Sequence, residues 1–170
     1  GTALSSGEKT KNGIIGLRPD STRTESIMEK VRKKGLKTGI TVSCSVTHAT
    51  PAAYYAHQQN REMHEEIAND FVTSGVDVCI GGGKQFFEKR KDGRNLSKEL
   101  QKEGYQIVYN ESDLMKIEKG RTLALLAEEH LPRISEGRGD MLSNSTKKML
   151  SLLNRDNNNG FLVMVEGSRL

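Results

Sequence analysis

Short apolar runs recur along this chain at spacings that leave room for a helix between each pair, and that alternation restricts the fold more than any other feature. Gly39–Ser43, Val76–Ile80, Tyr105–Tyr109, Leu123–Ala127 and Phe161–Val165 are each five residues long, the length of a strand rather than a helix. Amphipathic stretches separate them. Ser26–Lys34 sets Ile27, Met28 and Val31 on one face and stops at Gly35. Arg61–Thr73 sets Met63, Ile67, Phe71 and Val72 near one stripe and ends at Ser74-Gly75. Leu96–Glu103 and Asp113–Glu118 read as shorter helices, and Ser145 as the cap of a helix running through Leu153. Parallel neighbours need crossovers of this kind, so the pattern predicts an α/β fold with a largely parallel sheet and helices on both faces. Functional groups in such folds gather past the carboxyl ends of the strands. His48, Thr50 and Glu166 each follow a predicted strand directly.

At 170 residues the chain is long enough for one domain with a core of its own. A net charge of +4 is modest, and the basic residues are mixed with acids, as in Glu29-Lys30-Val31-Arg32-Lys33-Lys34. Runs of that kind are solvated faces. With aromatics at 5% and none interleaved among the basic residues for base stacking, nucleic acid is not expected as a partner. No apolar stretch approaches the roughly 20 residues of a membrane span. The two cysteines, Cys44 and Cys79, stand at the ends of apolar runs and read as small buried thiols rather than a disulfide.

One corner concentrates chemistry. Val46-Thr47-His48-Ala49-Thr50-Pro51 continues a predicted strand into a predicted helix, with Pro51 suited to the first helical position and Thr50 to the N-cap before it. Arg61 lies about three turns further on, so it reaches the corner only if the chain folds back. His57 reads as a packing residue or a support for a ligand, and His64 and His130 as surface or helix-face residues. Asp77 and Asp140 read as isolated acids. Gly81-Gly82-Gly83 lacks the Gly-Lys-Ser/Thr ending of a P-loop and the spacing of a dinucleotide fingerprint, and reads as a flexible turn.

Four stretches in order resemble the alkaline phosphatase family: Gly1–Thr10, the string VTHATPAAYYAH with Arg61 after it, Gly81–Phe87, and Phe161–Leu170. The resemblance runs the whole 170 residues. It implies a partial three-layer α/β sandwich and a metal-dependent hydrolase of phosphate monoesters. By the same resemblance Thr50 and Glu166 match ligands of a third metal, normally magnesium. His48 matches a position that is aspartate in some branches and histidine in others, and histidine makes zinc more competitive there. Arg61 matches the arginine that grips the substrate phosphate, for which a planar, bidentate guanidinium is suited.

The resemblance also places the family's nucleophilic serine four residues before Gly1 and a zinc-binding aspartate directly after Leu170. No catalytic nucleophile is then expected within the chain, nor ligands for the family's two zinc ions. The expectation is therefore an incomplete portion of a larger domain, inactive alone. Its parent is expected to be exported and homodimeric, as family members often are. Two alternatives stay open on the residues themselves. One is a non-catalytic α/β module binding phosphate or metal; the other is a related phosphomutase or sulfatase.

Overall fold

A computed structural model describes residues 1–168. Eight α-helices and five strands alternate along them. The strands are β1 (Lys37–Ser45), β2 (Val78–Gly82), β3 (Gln106–Val108), β4 (Thr122–Leu125) and β5 (Phe161–Glu166). All pairings among these five strands are parallel, in the order β3-β4-β2-β1-β5. The expected sheet is therefore present, with every predicted strand found within a few residues of its expected bounds. Phe161–Val165, read as buried, instead lies at the sheet edge beside β1 with Val165 exposed.

The sheet carries helices on both faces. Alternate residues of β1 divide between them: Ile40, Val42 and Cys44 join the cluster containing Met28 of α2 (Ile27–Lys33), Ile67 and Phe71 of α4 (His64–Ser74) and Leu96 and Leu100 of α6 (Leu96–Lys102). Val78 and Ile80 pack on the other side with Leu114 of α7 (Glu111–Lys116) and with α8 (Met141–Asn154). Helix α8 sits tightly on the sheet because Gly39 has no side chain. A methyl group there would fall 2.6 Å from Met149 Sδ and 2.7 Å from Leu153 Cδ1.

Several local expectations are corrected by the packing. Helix α8 begins at Met141, not at a Ser145 cap. Met141, Ser145, Met149, Leu152 and Leu153 form one buried stripe, which draws the helix out by a full turn. Helix α4 begins at His64 rather than Arg61, because Asn60 closes a turn first: its Oδ1 accepts the Glu62 N–H at 3.0 Å and its carbonyl the Met63 N–H at 3.1 Å. The glycine triplet is not a flexible turn. Gly81 and Gly82 are buried in β2, and Gly83, at φ 102°, opens α5 (Lys84–Glu88). Both cysteines are free and buried, as expected. Among the described residues, no helix is long and apolar enough to cross a membrane.

Candidate functional site

The corner after β1 differs in detail from its sequence reading. His48, in extended conformation, is the N-cap residue of α3 (Ala49–Ala52), and its carbonyl already accepts the Ala52 N–H at 3.0 Å. The helix therefore starts before Pro51, and Thr50 is its second residue rather than its cap. Helix α3 is only one turn long. Tyr54 and Tyr55 follow it into the core, where the Tyr55 hydroxyl donates to Val46 O at 2.8 Å and Tyr54 O accepts Ser26 Oγ at 2.6 Å. Ile15 and Gln58 then exchange backbone hydrogen bonds, each 2.9 Å, and the Arg61 N–H donates to Gly13 O at 2.7 Å. Those bonds turn the chain back on itself.

The return carries Arg61 to the corner. Its Nη2 lies 3.0 Å from His48 Nε2. A guanidinium has donors only, so Nε2 accepts and the ring proton belongs on Nδ1. That Nδ1 is buried and has no hydrogen-bond partner, an uncommon state for a polar atom shielded from water. Burial first, and then the neighbouring guanidinium, hold the imidazole pKa below its ordinary value. The neutral ring is the form that can ligate a cation.

Glu166 arrives from the other side of β1. Strand β5 pairs Glu166 with Val42, so its carboxylate stands at the carboxyl end of the sheet. Ser168 fixes the turn beyond it: its N–H donates to Ser43 Oγ at 2.8 Å, and its carbonyl accepts from Ser43 Oγ at 2.6 Å. One ligand atom from each of Cys44, His48 and Glu166 lies within 4.8 Å of the other two. His48 and Glu166 are the residues that the resemblance places here, whereas Cys44, expected only as a buried thiol, joins them in the structure. Burial pushes that thiol up to about 11. Arg169 and Leu170, the end of the last resembling motif, lie outside the described residues.

Two histidines read as surface or helix-face residues also belong to this corner. The Ser45 N–H donates to His130 Nδ1 at 3.0 Å, and the His130 ring meets that of His48 edge-on with centroids 6.0 Å apart. His64 Nδ1 is 3.0 Å from Thr47 Oγ1, and its ring stacks on Phe86 at 4.5 Å. Ser45 Oγ and Thr47 Oγ1, buried and 2.7 Å apart, connect the residues that the two histidines contact. His57 is a packing residue, with Nδ1 2.7 Å from Gly16 O and Nε2 3.2 Å from Glu29. Asp77 accepts from the Thr38 N–H at 2.8 Å and ties β1 to β2 at the far end of the sheet.

The fold and corner together define a parallel α/β protein that assembles a guanidinium, imidazoles, a thiol and a carboxylate past the ends of two adjacent strands. A sequence model of one family, described as alkaline phosphatase, matches residues 1–170. The chain belongs to the alkaline phosphatase family. Alkaline phosphatase 4 of Bacillus subtilis (strain 168) is 36% identical over 178 residues, covering 100% of this chain and 38% of that protein. Alkaline phosphatase 3 of the same strain is 37% identical over 177 residues, covering 99% and 38%.

The solved alkaline phosphatase of the Antarctic bacterium TAB5 superposes with a TM-score of 0.91 at 39% identity, over 96% of this chain and 48% of that one. A variant of the TAB5 enzyme, with magnesium bound in its M3 site, matches at the same score and identity over 96% and 47%. The chain spans about two-fifths of the length of these curated relatives.

Proposed function

We propose that these 170 residues are the phosphate-gripping and third-metal portion of a metal-dependent phosphomonoesterase. The observation that carries this reading is the return of Arg61 to His48, at 3.0 Å, beside the gathered Cys44, His48 and Glu166. Arg61 is proposed to clamp the substrate's phosphoryl oxygens, since its planar fork can give two parallel N–H bonds to them. His48, Thr50 and Glu166 are proposed to hold the third cation. The orphaned, buried His48 Nδ1 and the carboxylate of Glu166 suit such a group. A divalent cation bound there would supply positive charge and activate water close to the transferring phosphoryl group.

His48 cannot serve Arg61 and a cation at once. If Nε2 becomes the ligand, its lone pair is no longer there to accept from Arg61. If Nδ1 becomes the ligand, the ring proton moves to Nε2, which then opposes the guanidinium. Either way His48 releases Arg61, and the guanidinium is free to turn to phosphate.

This reading puts the nucleophile and the zinc pair of the family outside these 170 residues, so the isolated chain is proposed to be inactive. It is tested by assaying aryl phosphate hydrolysis in the full-length protein and in the isolated 170 residues. The full-length protein should be active, and chelation should abolish its activity until divalent metal is restored. Turnover by the isolated residues would overturn the inactivity claim. An active full-length enzyme indifferent to Arg61→Ala would overturn the clamp. The expected effect of Arg61→Ala is a loss of phosphate affinity of roughly ten- to a hundredfold, the size of a charge-assisted hydrogen bond.

A further inference from the structure

The corner contains one donor that the phosphatase reading leaves unused. Cys44 is a free thiol, 1% exposed, in the stretch of β1 where the pairing with β2 slips between Thr41 and Ser45. Bulges re-aim side chains near strand ends. Here the Cys44 Sγ comes within 3.9 Å of Glu166 Oε2. Cys79, the other cysteine, is enclosed in the core and belongs to no such group. The ligand atoms of Cys44, His48 and Glu166 are mutually within 4.8 Å. Even at that limit their centre lies no more than about 2.8 Å from each (the side over the square root of three), about half an ångström beyond a zinc–sulfur bond of about 2.3 Å and about three-quarters beyond a zinc–nitrogen bond of about 2.0–2.1 Å.

We propose that Cys44 is a metal ligand of this corner, supplying a thiolate beside His48 and Glu166, and that the corner therefore takes a borderline-soft divalent cation such as zinc in preference to magnesium. The inference rests on reading the corner as a cation site. Magnesium demands hard oxygen ligands, whereas a sulfur, nitrogen and oxygen set suits zinc and cobalt. On binding, the S–H bond breaks, sulfur keeps the electron pair that it donates to the metal, and the proton passes to solvent. A buried thiol with only a packing role would need neither a carboxylate nor an imidazole nitrogen gathered with it around one point.

Cobalt(II) added to the metal-stripped full-length protein tests the proposal, because only a thiolate ligand gives an intense sulfur-to-cobalt charge-transfer absorption in the near ultraviolet. The absorption should appear in the wild type, persist in Cys79→Ser, vanish in Cys44→Ser and survive a large excess of magnesium. Its absence from the wild type overturns the role of Cys44, whether or not the Cys44 variant folds. The bound-cobalt stoichiometry then separates the two readings. A drop of one ion in Glu166→Gln, without thiolate absorption in the wild type, leaves the corner as a cation site and removes Cys44 from it. An unchanged stoichiometry, again without that absorption, removes both.

Discussion

Arg61 is held from two directions, by the Gly13 carbonyl at its backbone and by His48 at its guanidinium. Because His48 must let go of it to ligate a cation, phosphate affinity and cation affinity should be coupled with the same sign and magnitude in both directions. Titration calorimetry of inorganic phosphate, with and without saturating divalent metal, should show tighter binding in the metal-loaded protein, and the gain should largely disappear in His48→Ala. Equal phosphate affinity in both states would show that the contact carries no coupling.

Glu29 makes a separate prediction. Burial, the largest single influence, raises its pKa. The His57 ring, the Ser26 N–H and Arg23 together outweigh burial and lower the pKa from 4.5 to about 2. A depressed carboxylate stabilises the fold at neutral pH, and that contribution is lost as pH falls from about 4.5 towards 2. Glu29→Gln should cost about 1 kcal/mol at pH 7, since solvent still reaches the group, and should flatten the acid limb of the stability profile in that window.

Among the elements, α2 and the end of β2 are the most exposed to single changes. Ser26 caps α2 reciprocally with Glu29 and also donates to Tyr54 O, so it fastens the helix to the segment that follows α3. Ser26→Ala should cost about 1–2 kcal/mol in denaturant unfolding, more than a cap on a solvated helix. Gly82 matters for a different reason. A methyl group there would collide with the Glu129 carbonyl oxygen, a backbone atom that cannot step aside, and would come within 3.3 Å of His130 Cα. Gly82→Ala should therefore cost about 3 kcal/mol and displace His130, which the NMR shift of its ring protons would report.

This is also where the sequence ran out. The alternation of apolar runs was enough for the strands, because buried parallel strands advertise themselves as apolar stretches. The VTHATP string marked the corner. Nothing near His130 in the sequence announces that Gly82 lets its loop settle against β2, and nothing near His64 announces the bond from Thr47. Cys44 did carry a signal, four residues before His48 and in phase with Val42. A small apolar residue at a strand end, however, looks the same whether it packs or ligates.

At the scale of the whole molecule, protection should follow sheet order. Strand β2 lies between β4 and β1 and is buried along its length, whereas β3 and β5 lie at the edges of the described sheet. Native-state hydrogen exchange should therefore be slowest at Cys79 and Ile80 and fastest in β3 and β5. Uniform protection across the five strands would contradict that ranking.

The pairing of β5 with β1 has a kinetic consequence. Strand β5 docks beside β1 across more than a hundred intervening residues, so Lys37 finds Phe161 only after everything between them has been made. On the ribosome, Cys44 and His48 would emerge on the order of ten seconds before Glu166, at translation rates of about 5–20 residues per second. Until then the corner lacks its carboxylate, however well the rest of the sheet has formed. Cys44, His48 and Glu166 therefore gather only after β5 has been made and has paired with β1. If the corner holds a cation as proposed, metal uptake by the nascent chain would report that pairing.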